Sequence, residues 1–284
     1  MVVTDLDGTL FQRHHRVSDD NLHTLHRLQE KRILRVIATG RNLYSARKVL
    51  PPEFPVDFVI FSSGAGIMDW ASQRLIRAVA MGPAEVDRAF HLLREHRMDF
   101  MVHRPVPDNH VFVYFPSGRD NPDFRARLEL YREFASPGKD GVVPMRRASQ
   151  LLAIEPVAGA PSDFPGQEAA SLYPLLGREL KGLNVVRTTS PLDGRSRWIE
   201  IFSAEASKAQ ASDWLARRCG IDGIRVLALG NDYNDLDLLG WAPFRYLVGD
   251  APEELREKFP QVSSGGEADF SRAVARWEEE LPAP

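Results

Sequence analysis

Val2-Val3-Thr4-Asp5-Leu6-Asp7-Gly8-Thr9-Leu10 opens on β-branched residues and changes character at an aspartate. Val2 to Thr4 reads as a short buried strand whose carboxyl end meets Asp5. Two carboxylates placed two residues apart at a strand end can point to the same side, and Gly8 permits a tight turn and close backbone approach to an anion. Such a pair suits a nucleophile working with a general acid and base. Asp-Gly is also common in ordinary solvated turns, so the meaning of Asp5 and Asp7 depends on the rest of the chain.

Downstream the same texture repeats. Ser18 offers an N-cap, Asp19 and Asp20 favour a first helical turn, and Leu22, Leu25 and Leu28 line one face. Ile33 to Ala38 is a nearly continuous apolar strand ending at Thr39-Gly40-Arg41, and Val56 to Phe61 is another, ending at Ser62-Ser63-Gly64. Fully apolar strands alternating with helices predict an α/β fold built on a Rossmann-like, doubly wound parallel sheet covered on both faces. The pattern returns late in the chain. Trp198 to Phe202 reads as a strand, Ala206 to Cys219 as a helix closed by Gly220, and Arg225 to Leu229 as a strand ending at Gly230-Asn231-Asp232.

Between these regions the texture changes, with more proline, candidate helices at Ala84 to His96 and Phe124 to Phe134, and short strands such as Val111 to Phe115. We read residues 81–187 as an inserted α+β domain, and 1–80 with 188–284 as the core. Polar residues in and just after this middle region, His103, Arg104, His110, Arg195 and Arg197, are candidates for touching a ligand, but each reads more simply as an exposed side chain. The terminal run Glu278-Glu279-Glu280-Leu281-Pro282-Ala283-Pro284 reads as a frayed tail.

Bulk properties exclude several classes. At 284 residues, 43% hydrophobic and 26% charged, the chain has the make-up of a globular protein larger than one typical domain. A net charge of -3, with 36 basic residues spread among 39 acidic ones, offers no stripe to a nucleic-acid backbone. Every apolar run is far shorter than a bilayer span, so no membrane partner is expected. The first strand leaves no room for a secretory signal ahead of it, and a single cysteine, Cys219, fits a reducing cytoplasm.

In open parallel sheets ligands gather beyond the carboxyl ends of the strands, where all these polar turns fall. Asp5-Leu-Asp-Gly-Thr-Leu resembles the first signature of the haloacid dehalogenase-like (HAD) hydrolase superfamily. Ala38-Thr39-Gly40-Arg41 resembles its second, Lys208 in Ala-Ser-Lys-Ala its third, and Gly230-Asn231-Asp232-Tyr233-Asn234-Asp235 its fourth. An insertion after the third strand and before the lysine resembles the class IIB cap of the Cof-like sugar-phosphate phosphatases. The resemblance implies a Mg²⁺-dependent phosphatase acting on a small phosphorylated metabolite, a sugar phosphate being the class it suggests, with the inserted domain closing over the site. It implies Asp5 as the nucleophile that becomes an aspartyl-phosphate, and Asp7 as the acid and base. Lys208 would neutralise charge, and Thr39, Gly40, Arg41, Ser63 and Gly64 would bind phosphate or substrate. Asp5, the Asp7 carbonyl, Asn231 and Asp235 would hold the metal, with Asn234 orienting the carboxylates. Magnesium prefers hard oxygens and takes one or two carboxylates with phosphate and water, which agrees with that set. Asp237 reads as a helix cap.

The chain departs from the family pattern in three places. The fourth signature usually begins Gly-Asp, whereas here Gly230 is followed by Asn231. Either the Asn231 amide oxygen ligates the metal, or the loop shifts so that Asp232 does; the spacing from Gly230 to Asn234-Asp235 favours Asn231. Ser63 stands where relatives commonly carry Asn, and Gly249-Asp250-Ala251 where Asn-Ala is usual. The rival readings are a phosphotransferase or phosphomutase on the same scaffold and a catalytically silent binding protein; oligomeric state is not legible.

Overall fold

The computed structural model describes residues 1–11, 16–156, 171–262 and 266–281. The chain divides into two compact units, Met1–Ala78 with Ala206–Pro284, and Val79–Glu205.

In the first unit the strand Val2–Thr4 lies inside a sheet ordered Phe244–Leu247, Leu227–Gly230, Val2–Thr4, Arg35–Ala38, Phe58–Phe61, Gly66–Asp69, Arg74–Ala78. The first five run parallel and the last two antiparallel. Val3, Val36, Ile60 and Ala228 share one buried cluster with Leu215 and Leu239 from covering helices. Burial on both faces is why these strands carry no alternation of polar and apolar residues. The order places Val2–Thr4 between Arg35–Ala38 and Leu227–Gly230, so the chain reverses its direction of travel across the sheet there. Such a switch point opens a crevice at the carboxyl ends of the strands.

The helix Asp19–Glu30 starts as its residues dictate. The Ser18 hydroxyl accepts the Asn21 N–H at 3.3 Å, and Leu25 and Leu28 are buried. Its neighbour is the last helix, Asp269–Glu280, and this corrects the expectation of a frayed tail at Glu278 to Glu280. Glu278 pairs with Arg27 and Lys31, Glu280 accepts from the Tyr246 hydroxyl at 2.6 Å, and Trp277 is buried. A run of glutamates looks solvated in sequence because its cations lie some 250 positions away. Residues 282–284 of that expected tail lie outside the described residues.

The second unit is a mixed sheet ordered Leu183–Thr189, Arg197–Ser203, Gln150–Glu155, Asp99–His103, Phe112–Phe115, Ala135–Pro137. The helices Pro83–Glu95 and Tyr173–Glu179 lie against one face through Val86, Phe90, Leu93 and Leu176, packed on Phe100, Val102, Leu151, Ile199 and Ile201. Here the expected boundary needs correction. Trp198 to Phe202 was expected in the core sheet, yet it pairs antiparallel with Leu183–Thr189 and Gln150–Glu155, so the second junction falls at Glu205 and Ala206 rather than at 188, and the first at Ala78 and Val79. The physical reason is that a strand buried on both faces reads the same whichever sheet takes it.

His103 also departs from expectation: it is 1% exposed, and its Nδ1 lies 2.7 Å from the Asn109 carbonyl oxygen. Arg104 and Arg195 are exposed as expected. Burial pushes the His103 imidazole down from 6.5 to about 3, and the Arg127 guanidinium adds to this. A group whose folded-state value is depressed binds fewer protons folded than unfolded, so stability is full above the unfolded value and falls as pH drops below it. We therefore expect stability to decline as pH falls below about 6.5, by at most about 1.4 kcal/mol per pH unit from this group. Urea denaturation between pH 7.5 and 5 would measure it, and His103→Gln should flatten the slope in that window.

Candidate active site

Asp5 continues the strand Val2–Thr4. Its N–H donates to the Leu229 carbonyl at 2.9 Å, which keeps it in register with the strand Leu227–Gly230. Its carboxylate Oδ1 accepts from Lys208 Nζ at 2.7 Å, and the same ammonium donates to Asp235 Oδ1 at 2.6 Å. Lys208 is the first residue of the helix Lys208–Arg218, whose N-cap Ser207 accepts the Gln210 N–H at 3.1 Å. A cation at a helix amino end opposes the helix dipole. This one is held there, its side chain 0% exposed, between two carboxylates.

Burial pushes the Asp5 carboxyl up to about 8; the Asp235 and Asp7 carboxylates push the same way and Lys208 pulls against them. Burial also opposes the charge on Lys208, but Asp235 and Asp5 outweigh it and hold the ammonium protonated above its ordinary value. A further cation beside the two buried carboxylates would favour the ionised form of Asp5.

Asp7 is partly exposed. Arg41 grips both its oxygens, Nε to Oδ2 and Nη2 to Oδ1, each at 2.6 Å. Arg41 was expected on phosphate or substrate; the structure instead places its guanidinium on Asp7, because a planar fork matches a carboxylate with two charge-assisted bonds. Gly8, at φ +78°, has its open side filled by Asn231: a Cβ there would meet Asn231 Nδ2 at 2.3 Å. The Thr9 hydroxyl donates to Asn231 Oδ1 at 3.1 Å. Asn231, not Asp232, is therefore the fourth-turn side chain set against the first turn.

Thr39, Gly40, Ser63 and Gly64 gather at the ends of the next two strands. The Ser63 N–H donates to the Thr39 carbonyl at 3.0 Å, and the Thr39 hydroxyl accepts the Arg41 N–H at 3.1 Å. The helix that follows is capped by Asn42, which accepts the Ser45 N–H at 2.8 Å and leaves Thr39 outside the cap. Ser63 stands at φ 50°, a left-handed conformation rare for serine, and its hydroxyl is buried without a hydrogen-bond partner. A Cβ on Gly40 would lie 3.5 Å from Asn234 Nδ2 and 3.7 Å from Ser63 Oγ, so these three groups face one another. At Gly64, φ +98°, a Cβ would lie 2.2 Å from the Ser207 carbonyl oxygen, so glycine is what lets this turn rest on the start of the Lys208 helix.

Asp235, expected as a metal ligand, has both carboxylate oxygens engaged in hydrogen bonds. Its Oδ1 takes Lys208, and its Oδ2 accepts the N–H groups of Asn231 at 2.9 Å and Asp232 at 3.2 Å. That carboxylate builds the turn and anchors the lysine. Asp237, expected as a cap, accepts the Ala209 N–H at 3.0 Å and so caps the Lys208 helix. Asp250 is exposed, although Gly249 packs on the Gly8 carbonyl oxygen. Among the described residues no three His, Cys, Asp or Glu side chains cluster as a metal site would. The oxygens that could take a cation are those of Asp5, the Asn231 amide and the Asp7 backbone carbonyl. All are hard oxygens and one is a carboxylate, a donor chemistry that fits magnesium completed by phosphate and water.

Thr9 and Ser45 carry contacts that sequence reading did not assign. Ser45 Oγ accepts from Arg41 Nη1 at 3.1 Å. The Asn42-x-x-Ser45 spacing is a legible capping signal; nothing local marks Thr9 as the partner of Asn231.

The family described as haloacid dehalogenase-like hydrolase matches residues 2–141 and 177–269. The chain is 25% identical over 281 residues to 5-amino-6-(5-phospho-D-ribitylamino)uracil phosphatase YwtE of Bacillus subtilis, covering 94% of this chain and 93% of that protein. It is 24% identical over 284 residues to the HMP-PP phosphatase of Serratia proteamaculans, covering 96% and 92%. Among solved structures it resembles the HAD phosphatase BT1666 from Bacteroides thetaiotaomicron, with a TM-score of 0.71, 20% identity, and 98% and 94% of the two chains covered. The HAD subclass IIB sugar phosphatase BT4131 gives a TM-score of 0.70 at 16% identity, covering 98% of each. These likenesses bear out the expected α/β fold.

Removing the shared ammonium would leave two buried carboxylates facing each other. Lys208→Met is expected to lower unfolding free energy by about 3–5 kcal/mol, the usual result of breaking a buried ion pair from one side. Urea denaturation at pH 7.5 measures it, and Asp235→Asn should cost less, because the amide still accepts from Lys208.

Proposed function

The chain belongs to the haloacid dehalogenase-like hydrolases, and on that footing we propose that it is a phosphatase of small phosphomonoesters working through a phosphorylated Asp5. The observation that carries the reading is the buried Asp5 carboxylate, paired with Lys208 where the parallel strands end. Phosphatases among its relatives act on small phosphorylated compounds, in keeping with this class. A sugar phosphate or related metabolite in the cytoplasm is the substrate we favour. No helix among the described residues is long and apolar enough to cross a membrane.

Lys208 takes Asp5 Oδ1, and Oδ2 is the oxygen we assign to attack on phosphorus. As the Asp5–phosphorus bond forms, the bond to the leaving oxygen breaks, and Asp7 supplies the proton that oxygen needs. Water activated by Asp7 then cleaves the aspartyl-phosphate, releasing orthophosphate and restoring Asp5. Negative charge on the phosphoryl oxygens is met by Lys208, the Thr39 and Ser63 hydroxyls and the backbone N–H groups around Gly40 and Gly64. Asn234, beside Gly40 and Ser63, orients that pocket. Asp5, the Asp7 carbonyl and Asn231 would hold Mg²⁺, which would supply electrostatic stabilisation of the same charge. Asp232 is the alternative ligand.

With an aryl phosphate and Mg²⁺ we expect slow orthophosphate release that a chelator abolishes and Asp5→Asn removes; turnover at the unmodified rate in Asp5→Asn would reject the covalent route. A screen of phosphorylated metabolites for phosphate release would then narrow the substrate. Replacing the neutral amide at 231 by a carboxylate adds ligand charge, so Asn231→Asp should tighten Mg²⁺ binding on the order of tenfold. Calorimetric titration reads this directly, and an unchanged isotherm would remove Asn231 from the metal site.

A further inference from the structure

Arg41 is held at both backbone and side chain. Its backbone N–H donates to the Thr39 hydroxyl at 3.1 Å and its backbone carbonyl accepts the Ser62 N–H at 2.8 Å. Nη1 donates to Ser45 Oγ at 3.1 Å, and Ser45 is itself held by Asn42. Nε and Nη2 form a fork that meets both oxygens of Asp7 at 2.6 Å, which sets the plane of the carboxylate.

From this geometry we infer that Arg41 is a positioning residue for the second half of the reaction, holding Asp7 as the oriented base that activates water. The inference rests on the phosphatase reading above. In that half-reaction one O–H bond of water breaks and its proton passes to a remaining lone pair of Asp7. The water oxygen bonds to phosphorus, the bond from phosphorus to Asp5 breaks, and its electron pair returns to the Asp5 carboxylate. In the first half a leaving group that departs as a stable anion draws no proton from Asp7. With such a substrate the loss of the fork falls on dephosphorylation, the half that needs Asp7 as base. A phosphate-binding role for Arg41 predicts a different pattern, because the loss would then appear when phosphate is first engaged.

Rapid-quench kinetics with nitrophenyl phosphate separate the two. Nitrophenolate leaves without needing a proton, so kcat/KM, which covers steps through its release, should be nearly unchanged in Arg41→Ala. The kcat should fall by roughly 10- to 100-fold, a part of the roughly 100- to 10,000-fold that general acid–base catalysis supplies. A nitrophenolate burst and ³²P-labelled enzyme should accumulate beyond the unmodified protein. Arg41→Lys, a point charge without the fork, should not fully restore kcat, and Ser45→Ala should move it in the same direction by less. These two variants carry the test should Arg41→Ala fail to fold. A drop in kcat/KM with no burst, together with weaker inhibition by orthovanadate, would overturn the assignment in favour of phosphate binding. Asp5→Asn run alongside should yield no label; label absent from every form, or turnover in Asp5→Asn, would sink the covalent reading itself.

Discussion

One ammonium, that of Lys208, ties together the segments that meet at the carboxyl ends of the parallel strands. Asp5 arrives on the strand Val2–Thr4 and Asp235 on the turn after Leu227–Gly230, and both accept from the same buried nitrogen. An unpaired charge at that depth is strongly disfavoured, so each carboxylate requires the lysine and the lysine requires both. The requirement constrains the whole neighbourhood. The Lys208 helix must start against the Gly64 turn, and the Asp235 turn must fold back so that its second oxygen receives the amides of Asn231 and Asp232.

That arrangement accounts for several local choices that helix and turn preferences alone would reject. A lysine at a helix amino end, serines at positive φ and a glycine resting on a neighbouring carbonyl all work against local stability. Each becomes intelligible as part of a pocket in which hydroxyls and backbone N–H groups face one direction. Conflicts of this kind between local rule and overall fold are what a functional site produces. Asp7 and Arg41 form a second ion pair in the same region, independent of the one at Lys208.

Most of the first unit was legible in the residues. Val2–Thr4 matches its expected span, and the strands ending at Ala38 and Phe61 are each somewhat shorter than expected at their amino ends. Continuous apolar runs closed by polar turns have few alternative explanations. The first three signatures lie at strand and helix ends where a ligand would be expected. Less was legible where identical local patterns serve different partners. Trp198 to Phe202 is buried on both faces and fits either sheet; the Glu278 run looks solvated until Arg27 and Lys31 are brought beside it; His103 looks like a surface histidine until strands close around it.

What the sequence by itself determined was the inventory: which strands end in carboxylates, hydroxyls and glycines, and hence hard oxygen donors beside turns open to an anion, with phosphoryl chemistry implied by the family resemblance of those motifs. Those features follow from residue type and spacing along a few consecutive positions. Which carboxylate meets which cation was decided only by the tertiary structure, because ion pairing depends on distances of a few ångströms between segments tens to hundreds of residues apart. Arg41 meets Asp7 across 34 positions, and Lys208 meets Asp235 across 27 and Asp5 across 203, contacts that position in a motif does not reveal.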